Sequence, residues 1–561
     1  MTTAFFAAHE AMLLKALQAI RARTYWSAYP ELPSGRIYGE TARHDGEVAF
    51  QSYLGRQFDL DQPGRKPAIG EERSPYGIEL GITYEAPDME ALILRAVKAM
   101  PAWRDAGPDA RAGVCLEILH RLNRRSFELA FAVMHTTGQG FMMAFQAGGP
   151  HAQDRGLEAV AYAYEAMKSA PDTVVWEKPQ GKNPPLLVEK TFKAVPRGVA
   201  LVVGCSTFPT WNGYPGLFAS LVTGNPVIVK PHPAAILPLA ITVKLAREVL
   251  AEAGFDENLV TLAVDTAAHP ITKEIATRPE VRIIDFTGSS VFGNWLEADC
   301  AQAQVYTEKS GVNAIVIDDF DDLKGMARNL AFTLSLYSGQ MCTTPQNIFI
   351  PAKGIKGPEG HLSFKDVAKL IAGSIDKFLS DPERAVEVLG AIQSPATLQR
   401  LEAAASLGEI VLESRAIAHP HFPNATIRTP VVVAVDADQS DAYETECFGP
   451  VTFLIRTKST EDSLAEMERT IQKHGAITAA IYSSQEETLQ AAREVALRVG
   501  VNLSENLTGG LFVNQSAAFS DFHATGGNPA ANASLTDHAF VANRFRVVEM
   551  RRMLPVPAEG A

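Results

Sequence analysis

Five cysteines, Cys115, Cys205, Cys300, Cys342 and Cys447, are the candidate nucleophiles of this 561-residue chain, and one has neighbours suited to chemistry. Cys342 sits in YSGQMCTTPQNIFI, after a helical stretch and before an apolar strand. Gly339 allows close backbone approach there, and small hydroxyl residues follow the thiol. A cysteine nucleophile needs access and a route to the thiolate; the competing reading is a buried packing cysteine, the commoner fate of a free thiol. Glu308 ends the run QVYTE, 34 positions before Cys342. A carboxylate at a strand's carboxyl end faces the crevice where α/β proteins bind ligands, and there it can activate water. Taken alone, it reads as a surface carboxylate.

Three other short segments carry binding chemistry. FTGSSVFG (286–293) follows the strand-like VRIID and leads into a helix, so Gly288 and Ser289 can offer backbone N–H groups and a hydroxyl to a pyrophosphate. It is not G-x-G-x-x-G, and a plain turn is an equal reading. Lys230 closes NPVIVKP at another strand end, suited to a ribose or phosphate, or simply to solvent. Glu446–Cys447–Phe448–Gly449–Pro450 joins a carboxylate, an aromatic ring and a turn before VTFLI: a ribose clamp, or an ordinary turn.

The elements that must position these residues alternate. From 197 to 306, GVALVVGC, NPVIVKP, LVTLAV, VRIIDFTGS and AQVYTEK read as short apolar strands, mostly separated by helical stretches such as 238–254. That alternation implies a parallel sheet covered on both faces. A second block has strands near 312–317, 346–350, 429–434, 451–456, 477–482 and 510–514. Residues 1–172 read as mainly helical, with the Pro/Gly/charge-rich 60–77 separating an N-terminal helical extension from the rest. DTVVWEK and LLVEKTFKAV flank PQGKNPP, which predicts a long hairpin within 173–196.

Composition removes several function classes. Hydrophobic residues are 46% and charged residues 20%, enough for a large core. A formal charge of −13 disfavours nucleic acid as a partner. No C-x-x-C occurs, so neither a zinc ribbon nor a disulfide framework is expected, and no metal site is nominated. The N-terminus places His9, Glu10 and Lys15 inside its apolar stretch, unlike a signal peptide. Residues 198–229 lack charge but contain five Gly and three Pro, which suits a buried strand–loop–helix–strand better than a membrane span. A cytoplasmic setting is expected.

The ordered set TGNPVIVKP, FTGSSVFG, TEKSGVNAIVID, SGQMCTTPQNIFI and ECFGPV resembles the aldehyde dehydrogenase superfamily across roughly residues 85–550. The spacing of Glu308 and Cys342 is the one that family shows between base and nucleophile. The resemblance implies an α/β fold of two Rossmann-like lobes with a protruding β-hairpin arm for oligomerisation. It implies that Cys342 attacks an aldehyde and Glu308 activates water against the resulting thioester. Lys230 would contact the adenosine ribose, Gly288 and Ser289 the pyrophosphate, and Glu446 with Phe448 the nicotinamide ribose. Implied units are an extension (1–84), a dinucleotide-binding domain (85–172 and 197–306), an arm (173–196 and 535–561), a catalytic domain (307–514) and a returning loop (515–534). A homodimer or dimer of dimers is expected.

Two departures bear on function. The family's oxyanion Asn aligns with Thr207 in Ser206-Thr207-Phe208-Pro209, leaving Thr207 plus the Cys342 N–H as donors, with Asn212 as the alternative. Many NAD-preferring relatives carry Glu three residues after the lysine; here Pro233 occupies that position, preceded by His232, so NADP is expected ahead of NAD. The extension and SPYGIELGITY further resemble the N-type phenylacetate-degradation branch, which implies a semialdehyde from a CoA-linked ring. The rivals are a CoA-acylating dehydrogenase, which typically lacks the base at 308, a thioester hydrolase without redox chemistry, and a non-catalytic relative.

Overall fold

The structure, a computed structural model, describes residues 2–358, 360–515, 519 and 522–555. Two sheets dominate it. The first has five parallel strands, β1 (Val199–Val203), β2 (Val227–Lys230), β3 (Val260–Leu262), β4 (Val281–Thr287) and β5 (Gln304–Glu308), in the order β3-β2-β1-β4-β5. Every residue of β1, β2 and β3 is buried, which is why these strands read as continuous apolar runs. Alternate side chains serve opposite faces: Val199, Leu201 and Val203 pack with Leu92, Ile275 and Leu296, whereas Ala200 and Val202 pack with Leu217, Leu239 and Val243.

The second sheet has seven strands, β6 (Asn313–Ile317), β7 (Pro345–Pro351), β8 (Glu409–Leu412), β9 (Val431–Asp436), β10 (Val451–Thr457), β11 (Thr478–Tyr482) and β12 (Asn502–Glu505), in the order β8-β9-β10-β7-β6-β11-β12. Only the β8–β9 pairing is antiparallel. One face carries the helices Thr460–His474 and Glu486–Val499 through Leu464, Met467 and Leu489. The other carries Leu323–Ser335 and Phe364–Phe378. The chain crosses between sheets in the short link Lys309–Val312, so the carboxyl edge of the first sheet faces the amino edge of the second across a cleft.

Several expectations are corrected. Residues 510–514 form no strand: the Leu511 carbonyl accepts from Asn329 Nδ2 at 2.6 Å and the Phe512 ring lies 4.2 Å from that of Phe332, so their apolarity serves loop packing. The last strand is instead the half-buried β12, and the antiparallel edge strand β8 was not foreseen. Residues 60–77 are no plain linker, since Gly64–Ile69 pairs antiparallel with Tyr84–Pro87. The first sheet runs on to Glu308, beyond the 306/307 boundary. The hairpin is tighter than expected, turning at Gly181–Lys182 between Thr173–Gln180 and Asn183–Pro196. A third strand, Phe545–Leu554, pairs antiparallel with Asn183–Pro196 from Phe545↔Pro196 to Leu554↔Leu187. The expected arm segment 535–561 lies outside the described residues from 556 on, as do 516–518 and 520–521 of the expected returning loop. No helix among the described residues is long and apolar enough to cross a membrane.

Candidate active site

The cleft has a volume of about 780 Å³ and is lined by all nine residues nominated from sequence: Thr207, Lys230, His232, Gly288, Ser289, Glu308, Cys342, Glu446 and Phe448. Strand ends explain the convergence. β1 opens into 204–208, β2 ends on Lys230, β4 runs into Gly288, and β5 ends on Glu308, while Cys342 and Glu446 precede β7 and β10 from the other side.

The Cys342 loop is tightly determined. Tyr337, Ser338 and Gly339 have φ of 52°, 49° and 63°, three consecutive left-handed residues of which two are not glycine. Such conformations cost ~1–3 kcal/mol each and persist only where surroundings impose them. Ser338 Oγ donates to the Leu389 carbonyl at 3.0 Å, and Gln340 Nε2 donates to that of Ala391 at 3.1 Å. A Cβ on Gly339 would sit 2.2 Å from the Gly449 carbonyl oxygen. From β6, buried Asn313 donates Nδ2 to the Cys342 carbonyl at 2.8 Å while its Oδ1 accepts from the Ile477 and Thr478 N–H groups at 2.9 and 3.1 Å. Burial of the thiol, reinforced by the Glu308 carboxylate beside it, pushes the Cys342 pKa well up. The resting group is a thiol.

Glu308 is buried at the end of β5, and burial alone would raise its pKa; His523 charge and hydrogen bonding, with the Cys342 thiol and Arg155, bring it net below the usual carboxylate value. Its Oε2 lies 3.0 Å from His523 Nε2 and accepts from Asn212 Nδ2 at 3.5 Å, whereas Oε1 is buried without a hydrogen-bond partner among the described residues. His523 was not nominated from sequence. It arrives on the loop 522–535, which is tied along β5: Asn532 Oδ1 accepts from the Thr307 N–H at 2.8 Å, Asn532 Nδ2 donates to the Val305 carbonyl at 2.9 Å, and the Lys309 N–H donates to the Ala530 carbonyl at 2.6 Å. His523 Nε2 is also 3.8 Å from Cys342 Sγ.

The binding residues divide by what the structure leaves free. The Gly288 N–H donates to the Glu308 carbonyl at 3.0 Å, so it is not available to an anion as sequence suggested; a Cβ there would lie 2.7 Å from the Phe286 ring. Ser289 caps the helix Ser290–Asp299, its Oγ accepting from the Phe292 N–H at 3.4 Å. The donors left for a phosphate are the Ser290 and Val291 N–H groups at the start of that helix, which have no intrahelical acceptor. The neighbouring helix Leu237–Glu252 is closed to an anion, because Glu72 Oε1 already accepts from the Ile236 and Leu237 N–H groups at 2.5 and 2.9 Å. Glu446 faces the cleft with Oε1 accepting from the Gly311 N–H at 3.5 Å, and burial raises its pKa.

The expected absence of a carboxylate near Lys230 does not hold in three dimensions. Asp265, just past β3, is buried with Oδ1 2.7 Å from Lys230 Nζ, and its Oδ2 accepts from the Ile271 N–H at 3.1 Å. His232 is exposed on the cleft wall, its Nδ1 accepting from the Ala234 N–H at 3.1 Å. Thr207 lines the cleft on a loop held from both lobes: Gln139 Nε2 donates to its carbonyl at 2.8 Å, and Gln393 Nε2 donates to that of Ser206 at 2.7 Å.

Comparison with known proteins follows the same outline. The profile of the aldehyde dehydrogenase family matches residues 82–528. An N-succinylglutamate 5-semialdehyde dehydrogenase of Burkholderia mallei is 26% identical over 420 residues, covering 72% of this chain and 78% of that protein. A 1-pyrroline-5-carboxylate dehydrogenase of Bacillus cereus is 23% identical, covering 81% and 86%. Among solved structures, an NAD-dependent aldehyde dehydrogenase from Burkholderia multivorans superposes with TM-score 0.97 at 57% identity, covering 99% of this chain and 100% of that one. A 1-pyrroline-5-carboxylate dehydrogenase from Thermus shares the fold, with TM-score 0.73 at 19% identity, covering 95% and 99%.

Proposed function

The chain belongs to the aldehyde dehydrogenase family, and from that premise we propose that it oxidises an aldehyde to a carboxylate with Cys342 as nucleophile and Glu308 as base. The observation that carries this reading is a thiol and a buried carboxylate sharing one cleft, with Glu308 Oε1 unpartnered among the described residues and able to take a proton from a reacting group. Glu308 takes the thiol proton, and the sulfur attacks the carbonyl carbon. A bound nicotinamide supplies the hydride acceptor, leaving an acyl group on Cys342. The thiol proton passes to solvent. Glu308 then takes a proton from water, hydroxide adds to the thioester, and the departing sulfur recovers that proton. The presence of a carboxylate at 308, which the acylating branch typically lacks, favours water over CoA as acyl acceptor, hence hydrolytic oxidation over the acylating alternative.

For the oxyanion, Asn212 Nδ2 is engaged with Glu308, which supports the Thr207 hydroxyl and the Cys342 N–H as donors. One such donor is worth roughly 3 kcal/mol. The dinucleotide would lie with its pyrophosphate at the helix Ser290–Asp299 and its riboses near Lys230 and Glu446, Phe448 walling the second. Asp265, paired with Lys230, offsets the positive charge that would hold a 2′-phosphate, so the sequence-based expectation of NADP yields to NAD, in keeping with the NAD-dependent relative from Burkholderia multivorans.

We infer a CoA-linked semialdehyde of aromatic catabolism as substrate, supported by the resemblance of the N-terminal extension. A homo-oligomer is supported by the apolar residues exposed on the three-stranded sheet, among them Val175, Trp176, Val547, Met550 and Met553. Cys342→Ala tests the core of the reading: aldehyde-dependent cofactor reduction should disappear while cofactor binding persists, and intact turnover would refute it.

A further inference from the structure

We propose that His523 serves both reacting groups as a shared hydrogen-bond donor, its Nε2–H keeping Glu308 ionised at rest and stabilising the Cys342 thiolate as it forms. This deepens, and rests on, the roles given above to Cys342 and Glu308.

The geometry carries it. One nitrogen, Nε2, is 3.0 Å from the carboxylate and 3.8 Å from the sulfur. The ligand-type atoms of the three residues all lie within 4.8 Å of one another, although 181 positions separate His523 from Cys342. The imidazole is fixed from two sides. Its ring meets the Trp211 ring edge-on at 4.7 Å, and its backbone exchanges hydrogen bonds with Leu535 at 3.3 and 2.9 Å. A side chain 3% exposed, held this firmly, loses little further freedom when it acts.

The proton inventory selects the role. An imidazole facing an ionised carboxylate carries a proton on the facing nitrogen. Nε2 is therefore a donor and cannot accept the thiol proton. That proton passes to Glu308: the Sγ–H bond breaks, an O–H bond forms, and the electron pair stays on sulfur. The carboxylate that held Nε2–H is now neutral, so the donor turns to the thiolate. When Glu308 is ionised again for the hydrolytic step, the donor returns. No oxidant or further reactant enters. The other titratable groups bearing on the pair are Arg155 behind Trp211, Cys205 on the cleft wall and Glu446 from the second lobe. None of these hydrogen-bonds to Cys342 Sγ among the described residues.

The test compares His523→Phe, His523→Gln and His523→Asn in the full-length enzyme. Gln can present an amide N–H near the Nε2 position, Asn falls short of it, and Phe keeps the edge-on contact without a donor. Two readouts are taken: the pH profile of kcat, and the pH dependence of iodoacetamide alkylation followed on the Cys342 peptide, which needs no turnover. With Phe, buried Glu308 loses its compensating donor, so the acid limb of kcat should move up by about one pH unit or more. Activity at pH 7 should fall at least about tenfold, with slower alkylation. Gln should restore the limb and most of the rate, and Asn should behave like Phe, a contrast that stands if the Phe variant does not fold. Unmoved limbs and alkylation in both Phe and Asn would overturn the proposal. Gln as impaired as Phe would do so too, pointing to His523 as proton acceptor. Turnover surviving Cys342→Ala would instead remove the underlying reading, a separate result.

Discussion

Glu308→Gln separates the two half-reactions. The change is isosteric, and the amide oxygen can still accept from His523 and Asn212, so fold and ring position should hold. Two effects then oppose each other at Cys342. The proton acceptor is lost, but so is the negative charge that helps hold the thiol pKa up, and solvent can remove the proton instead. Acylation therefore survives. Hydrolysis has no such compensation, because the water loses its base; general-base catalysis is worth ~10²–10⁴-fold, about 3–5 kcal/mol at 1.36 kcal/mol per tenfold. The assay is rapid-mixing cofactor reduction. The expected trace is a burst of about one equivalent per active site, followed by a steady rate lowered at least ~10²-fold. Undiminished steady turnover, where deacylation limits, would refute the base assignment. Loss of the burst together with the steady rate would refute the claim that acylation tolerates its absence.

Other residues give independent checks. Burial pushes the Asp154 carboxyl, which accepts from Ser27 Oγ and the Ala28 N–H, up to about 7. A raised folded-state pKa means its contribution is fully present below about pH 4 and lost as pH rises through about 7; Asp154→Asn should remove that loss of stability, up to roughly 4 kcal/mol at neutral pH, and an unchanged dependence of Tm on pH would count against it. Asp265→Asn should raise the NADP/NAD ratio of kcat/KM about tenfold or more by freeing the Lys230 charge to meet a 2′-phosphate; an unaltered ratio would dismiss Asp265 as the discriminator. Gly339→Ala forces a Cβ toward the Gly449 carbonyl and should shift the Cys342 loop, lowering kcat ~10²-fold with near-normal cofactor affinity, measured by binding titration alongside turnover.

Local pattern reported what local physics decides. The strands of the first sheet are buried on both faces, so their apolar runs marked β1 to β5 within a few residues, and the strand ends at Lys230, Gly288 and Glu308 named one wall of the cleft. The edge strands β8 and β12 escaped because half-buried edges need no apolar run, and 510–514 misled because apolar loop residues can pack without pairing. Residues that matter through distant contact left little signal. His523 lies in the small, polar HATGGNPA, Asp265 reaches Lys230 from a neighbouring strand, and Glu72 closes a helix start from within a stretch that reads as a linker. Nothing in those segments alone distinguishes them from ordinary loop residues.

Hydrolytic oxidation is tested most directly by product stoichiometry with an aldehyde and NAD in the absence of CoA. Hydrolytic oxidation requires one carboxylate per reduced nicotinamide, no stimulation by free CoA, and loss of both products in Cys342→Ala. Turnover only when CoA is added would make this an acylating enzyme, and acid released from a thioester without cofactor reduction would make it a hydrolase; either result contradicts Glu308-assisted hydrolytic oxidation.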